Sequence, residues 1–219
     1  MTDIPNGNTS PTPQSAPTAS GDALHEQLRL IKQWLRSVMN GPVSQSMREK
    51  GLNYKVNFGV ELPRLSEKAQ SLPHTYALAA ALWKEDIREC RLLAGMLMPI
   101  ENFDGELADV WVEQMRYPEE AECTVLNLFS RLPEASQKAF EWIAREEDMF
   151  RLCGWLLMGR LFAKRAVPQG RDVDELLDQL SSELHDANAA PAVQRAARKA
   201  LLRFMDLGEE QERLADRIL

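Results

Sequence analysis

Arg195, Lys199 and Arg203 recur every four residues, with Arg198 beside them, and no acid interrupts the run from Pro191 to Met205. On a helix this spacing gathers cations along one face, where their mutual repulsion calls for an anion from outside. Two further basic stripes follow the same steps: Lys84, Arg88 and Arg91, and Arg29, Lys32 and Arg36. Glu85, Asp86 and Glu89 lie among the first of these, so a solvated, self-neutralised face is an equal reading there. If such stripes converge, they form a groove suited to a phosphate backbone.

Acidic residues cluster once, at Glu119, Glu120 and Glu122 behind Pro118. Carboxylates at a helix start are stabilised by the helix dipole, whereas a hard-metal site needs ligands converging from several elements. His25, His74 and His185 stand alone, and there is no glycine-rich phosphate loop, HExxH or GxSxG. The expectation is no metal and no cofactor. Cys90, Cys123 and Cys153 are far apart in apolar helical patterns, which suits buried free thiols in a reducing cytoplasm.

The elements that must position these residues are helices. The chain has 219 residues, 44% hydrophobic and 27% charged, enough for one substantial core. A net charge of −7 argues against indiscriminate coating of nucleic acid but leaves room for a local basic surface. No secretory leader or membrane-spanning run is expected, since no stretch approaches the roughly 18 apolar residues such a span needs. Residues 1–21, with Pro5, Pro11, Pro13 and Pro17 among Ser and Thr, are expected to form a disordered tail before one domain, 22–219.

Leu24, Leu28, Ile31, Leu35 and Val38 mark a first helix, with Asp22 as N-cap and Gly41-Pro42 as stop. Tyr54 to Val60 is extended in character but has no strand to pair with, so a loop is expected there. Helical patterns then cover about 64–71, 74–83, 85–98, 104–116, 118–131, 133–144, 147–164, 172–186, 191–205 and 209–218. Pro73, Pro99, Pro118, Pro133, Pro168 and Pro191 sit at the joints. Helix pairs recur about every 30 to 40 residues, which predicts an all-α, HEAT-like repeat solenoid, with an irregular bundle as the competitor. Trp34, Trp83, Trp111, Trp142 and Trp155 are expected in its core.

The segment from Tyr54 to Leu65, then Ala81-Leu82-Trp83 and Ile87-Arg88-Glu89-Cys90-Arg91-Leu92-Leu93-Ala94, resembles the DNA alkylation repair family of HEAT-like alkylpurine DNA glycosylases. The likeness extends roughly from Gly41 to Met205. It implies a solenoid that grips duplex DNA and excises N3- or N7-alkylated purines, which leave as cations and need no protonation. In that family an aspartate carboxylate stabilises the oxocarbenium-like sugar while tryptophans and an arginine hold the nucleotide.

This chain departs from the pattern at those positions. The family's Trp-x-x-x-Asp falls on Tyr117 to Ala121, which leaves Tyr117, Glu120 and Glu122 as candidate catalytic residues. Its Trp-x-x-Arg keeps only Arg151, and its Ala-x-Gly-Trp-Ala-Leu falls on Ala196 to Leu201, with Arg198 and Lys199 replacing glycine and tryptophan. The expected DNA contacts are Arg88, Arg91, Arg151, Arg195, Arg198, Lys199 and Arg203. The resemblance implies a duplex-DNA-binding protein, a weak or divergent glycosylase if it turns over. An inactive helical-repeat scaffold for a protein partner is the alternative.

Overall fold

A computed structural model describes residues 18–166 and 170–218. Twelve α-helices follow one another, and no strand occurs among the described residues. They are α1 (Thr18–Ser37), α2 (Gly41–Glu49), α3 (Leu62–Gln70), α4 (Tyr76–Trp83), α5 (Arg88–Leu97) and α6 (Gly105–Gln114). Then come α7 (Pro118–Asn127), α8 (Ala135–Ile143), α9 (Asp148–Ala163), α10 (Arg171–His185), α11 (Pro191–Met205) and α12 (Glu209–Ala215). None is long and apolar enough to cross a membrane.

The helices form two rows. In the inner row α3, α5, α7, α9 and α11 pack side by side. Behind them α4 covers α5, α8 covers α9 and α10 covers α11, with α1 against α4. This is the solenoid that the spacing predicts, and its register shows in the side-chain bonds between successive repeats. Trp83 Nε1 donates to Gln114 Oε1 at 2.8 Å, Trp142 Nε1 to Asp109 Oδ1 at 2.6 Å and Trp155 Nε1 to Glu183 Oε2 at 3.2 Å. These pairs lie 31, 33 and 28 residues apart, two at the short end of the expected repeat and one just below it.

Between the rows the core is aromatic and aliphatic. Trp83 stacks on Trp111 with centroids 4.1 Å apart, and Phe103, Phe129, Trp142 and Phe150 continue the chain of ring contacts. Trp83, Trp111, Trp142 and Trp155 are buried as expected, while Trp34 packs part-buried against the core. The three cysteines are buried and free. Burial pushes the Cys90 and Cys123 thiols up to about 12, and that of Cys153 higher still.

Three boundaries differ from the sequence expectation. The first helix starts at Thr18 rather than after Asp22, and residues 1–17 of the expected tail lie outside the described residues, as does Pro168. Gly41-Pro42 opens a helix as well as following one: the Asn40 side chain accepts from Val43 N, and Pro42 sits in the first turn of α2. The helix expected from residue 85 begins at Arg88, because Val56 N donates to Asp86 O at 3.2 Å and Arg88 N to Val56 O at 3.0 Å. The extended segment thus has a partner, a single parallel bridge between Val56 and Ile87.

Gly59 fixes how that segment meets α2. Its φ is +71°, and a Cβ there would lie 2.3 Å from Asn40 O and 2.7 Å from Ser44 N. Gly59→Ala is expected to destabilise the fold by at least about 1–3 kcal/mol, the usual cost of a strained backbone, with the overlap added. Urea denaturation measures it, and an unchanged midpoint would contradict this packing.

Candidate nucleic-acid interface

The start of α5 is not a DNA-facing surface. Arg88 and Arg91, expected to contact phosphate, are only 2% and 7% exposed. Arg88 forks onto Glu119, with Nε at 2.9 Å from Oε1 and Nη2 at 2.9 Å from Oε2, and its Nη1 donates to Val60 O at 2.9 Å. Arg91 Nε donates to Glu120 Oε1 at 2.6 Å, Nη1 to Trp83 O and Nη2 to Gln114 O. Glu89 accepts from Phe58 N and Val60 N, so these charges lash the extended segment to α5 and α7. A buried guanidinium must find such partners, and here they saturate it.

The same network claims one of the catalytic candidates. Glu120 is 1% exposed and also accepts from Arg116 N at 2.8 Å, so it serves the fold. Tyr117 lies against Tyr54, ring centroids 4.4 Å apart, with Arg116 over both rings. Burial, and the charges of Glu120 and Glu119, hold the Tyr54 hydroxyl protonated far above the usual phenol range.

Other expected contacts are dispersed. Arg151 is bound by Asp148 at 2.5 Å and lies 3.7 Å from Glu183 of α10. Arg198 lines a separate hollow with His185, Leu201 and Leu202, away from its neighbour Lys199. Two cations of the stripe on α1 are paired, Arg29 with Glu26 and Lys32 with Glu85 at 2.6 Å, while Arg36 is exposed.

Three other cations converge. Lys199 and Arg203 of α11 line a cleft of about 220 Å³ together with Arg160 of α9 and Glu122 of α7. Arg195 is exposed one helical turn before Lys199. Among the described residues none of the four cations has an ion-pair partner; Arg203 Nη1 donates to Gly159 O at 2.9 Å, and Arg160 Nε is buried without a partner. The cleft is therefore three cations against one carboxylate, walled by Leu126 and Leu156.

Arg160 escapes the search for basic stripes because it is a single cation. Its signal is its isolation: it is the lone charge between Leu152 and Ala163, on a helix otherwise apolar enough to be core. Ala121, aligned with the family's aspartate, is fully buried, whereas Glu122 is exposed and faces the cleft. The carboxylate that lines the cleft is thus Glu122. No group of three or more His, Cys, Asp or Glu among the described residues could hold a metal ion.

Comparison with known proteins agrees with this architecture. No curated protein matches the chain significantly. A solved structure from "a new family of proteins related to the HEAT-like repeat DNA glycosylases with affinity for branched DNA structures" superposes with a TM-score of 0.75. The two share 16% identity, over 87% of this chain and 82% of that one, which establishes the common fold. Residues 31–204 match the family described as DNA alkylation repair enzyme. With a match over most of its length and a HEAT-like two-row solenoid, the chain belongs to the DNA alkylation repair enzyme family.

Proposed function

We propose that this protein binds DNA by its sugar-phosphate backbone, in the cleft between α7, α9 and α11. The observation that carries the reading is the convergence of Arg160, Lys199 and Arg203 from two helices with no ion-pair partner among the described residues. Unpaired cations held together in a chain of net charge −7 are stabilised by an incoming polyanion, and counterion release supplies the affinity. The relative with the same fold is described as having affinity for branched DNA structures, which supports a backbone grip and makes junctions a ligand to test beside linear duplex.

The test is a titration of labelled linear and three-way-junction DNA at increasing salt. With Arg195 included, about four phosphates are contacted, so log K should fall against log salt with a slope of about −3 to −4. Salt-independent binding, or none at low salt, would refute the reading.

A second reading, hydrolysis of an alkylpurine N-glycosidic bond, has one observation behind it: Glu122 is the carboxylate that reaches the cleft. Any release of 7-methylguanine or 3-methyladenine from alkylated duplex should then vanish in Glu122→Gln. Release that survives the substitution assigns the chemistry elsewhere.

A further inference from the structure

The cationic cleft continues across α7 into a hollow of a different character. Glu122 and Leu126 line both. The second hollow, of about 330 Å³, is walled by Leu62 and Pro63 of α3, Met96 of α5 and Leu126 of α7, with Asn127 beside them. No cation lines it. Leu62 and Leu126 are 43% and 49% exposed, among the most exposed large apolar side chains of the described residues. The Asn127 amide donates to Cys123 O at 2.7 Å, so its carbonyl and the Glu122 carboxylate are the acceptors at the border.

A nucleotide presents this same sequence of chemistries: a flat apolar face, hydrogen-bond donors on its edge, and a phosphate one sugar away. The volume is at the lower end of small-molecule sites, roughly 300–1,000 Å³, and too small for a helix face. Resting on the DNA-binding reading above, we propose that this hollow seats one nucleobase that has left its stack, while Arg160, Lys199 and Arg203 hold the adjoining phosphate. The ligand class is therefore DNA with an unpaired base. Acceptors at the border favour amino-bearing bases, adenine, cytosine or guanine, over thymine.

Three duplexes test it: fully paired, carrying one bulged cytosine, and carrying one bulged abasic residue of equal length. Stacking on a protein surface is worth enough for about a tenfold preference for the cytosine bulge over the paired duplex. The abasic bulge should bind like the paired duplex, and the neutral surface substitution Leu62→Asn, at a residue that lines the hollow and not the cationic cleft, should abolish the preference without weakening paired-duplex binding. Equal, salt-sensitive binding of all three overturns the base seat but leaves the backbone grip standing. A preference shared by the abasic bulge, or kept by Leu62→Asn, assigns it to bending and also overturns the seat. No binding to any duplex removes both readings.

Discussion

The variant Arg160→Gln, Lys199→Gln, Arg203→Gln is expected to bind DNA at least about a hundredfold more weakly than the native chain. Each cation is unpaired among the described residues and lines one cleft, so each removal costs a phosphate contact and gains no relief from a freed acid. Three contacts at about 1 kcal/mol apiece, the lower part of what hydrogen bonds contribute, give that factor. The salt dependence should flatten by about three units of slope. Stability should hold, because Lys199 is exposed and Arg160 and Arg203 are half-exposed. Loss of less than threefold, measured by fluorescence anisotropy at low salt, would place the DNA elsewhere.

Glu120→Ala is expected to cost about 3–5 kcal/mol of stability, the range for a buried pair broken on one side. It leaves the Arg91 guanidinium without its carboxylate, and Arg116 N without its acceptor, in a site almost closed to water. At about 2–4 °C per kcal/mol for a chain of this size, Tm falls by roughly 10 °C. Replacing both partners, Arg91→Met with Glu120→Met, should recover part of the loss, since no charge is then stranded. At a temperature where Glu120→Ala is folded, its DNA affinity should match the native protein within about twofold. A surface salt bridge would cost less than 1 kcal/mol, so a small loss would contradict the burial.

These two variants separate residues that are alike in sequence. Arg88 and Arg91 step along a helix much as Lys199 and Arg203 do, and periodicity alone assigns both sets to a surface. What distinguishes them is the partner supplied one repeat later: Glu119 and Glu120 lie 31 and 29 residues on, while among the described residues no acid pairs with the cations of α11. That pairing depends on the repeat register, which apolar spacing gives only to within several residues.

The helices themselves were legible because their apolar faces repeat at helical steps and prolines mark the joints. The start of α2 was less so, since Gly41-Pro42 reads as a stop until Asn40 is seen to cap it. The bridge at Val56 was hidden for a similar reason: its partner, Ile87, sits inside an apolar run that looks helical throughout. Within the cleft, Lys199 and Arg203 were visible as a stripe. Arg160 was not, because one charge on α9 makes no pattern until the fold sets it opposite α11. Ala121 illustrates the converse: alignment places it where the aspartate belongs, but the helix turns it into the core and presents Glu122 instead.

The most direct test of the DNA-binding face compares two adjacent residues of equal charge on one helix. Lys199 faces the cleft and Arg198 faces the hollow beside His185, so their contributions should differ although their sequence positions do not. Measured side by side on the same duplex, Lys199→Gln should lower affinity about fivefold to tenfold and reduce the salt slope by about one. Arg198→Gln should leave both unchanged; equal losses from the two substitutions would contradict a DNA site in the cleft.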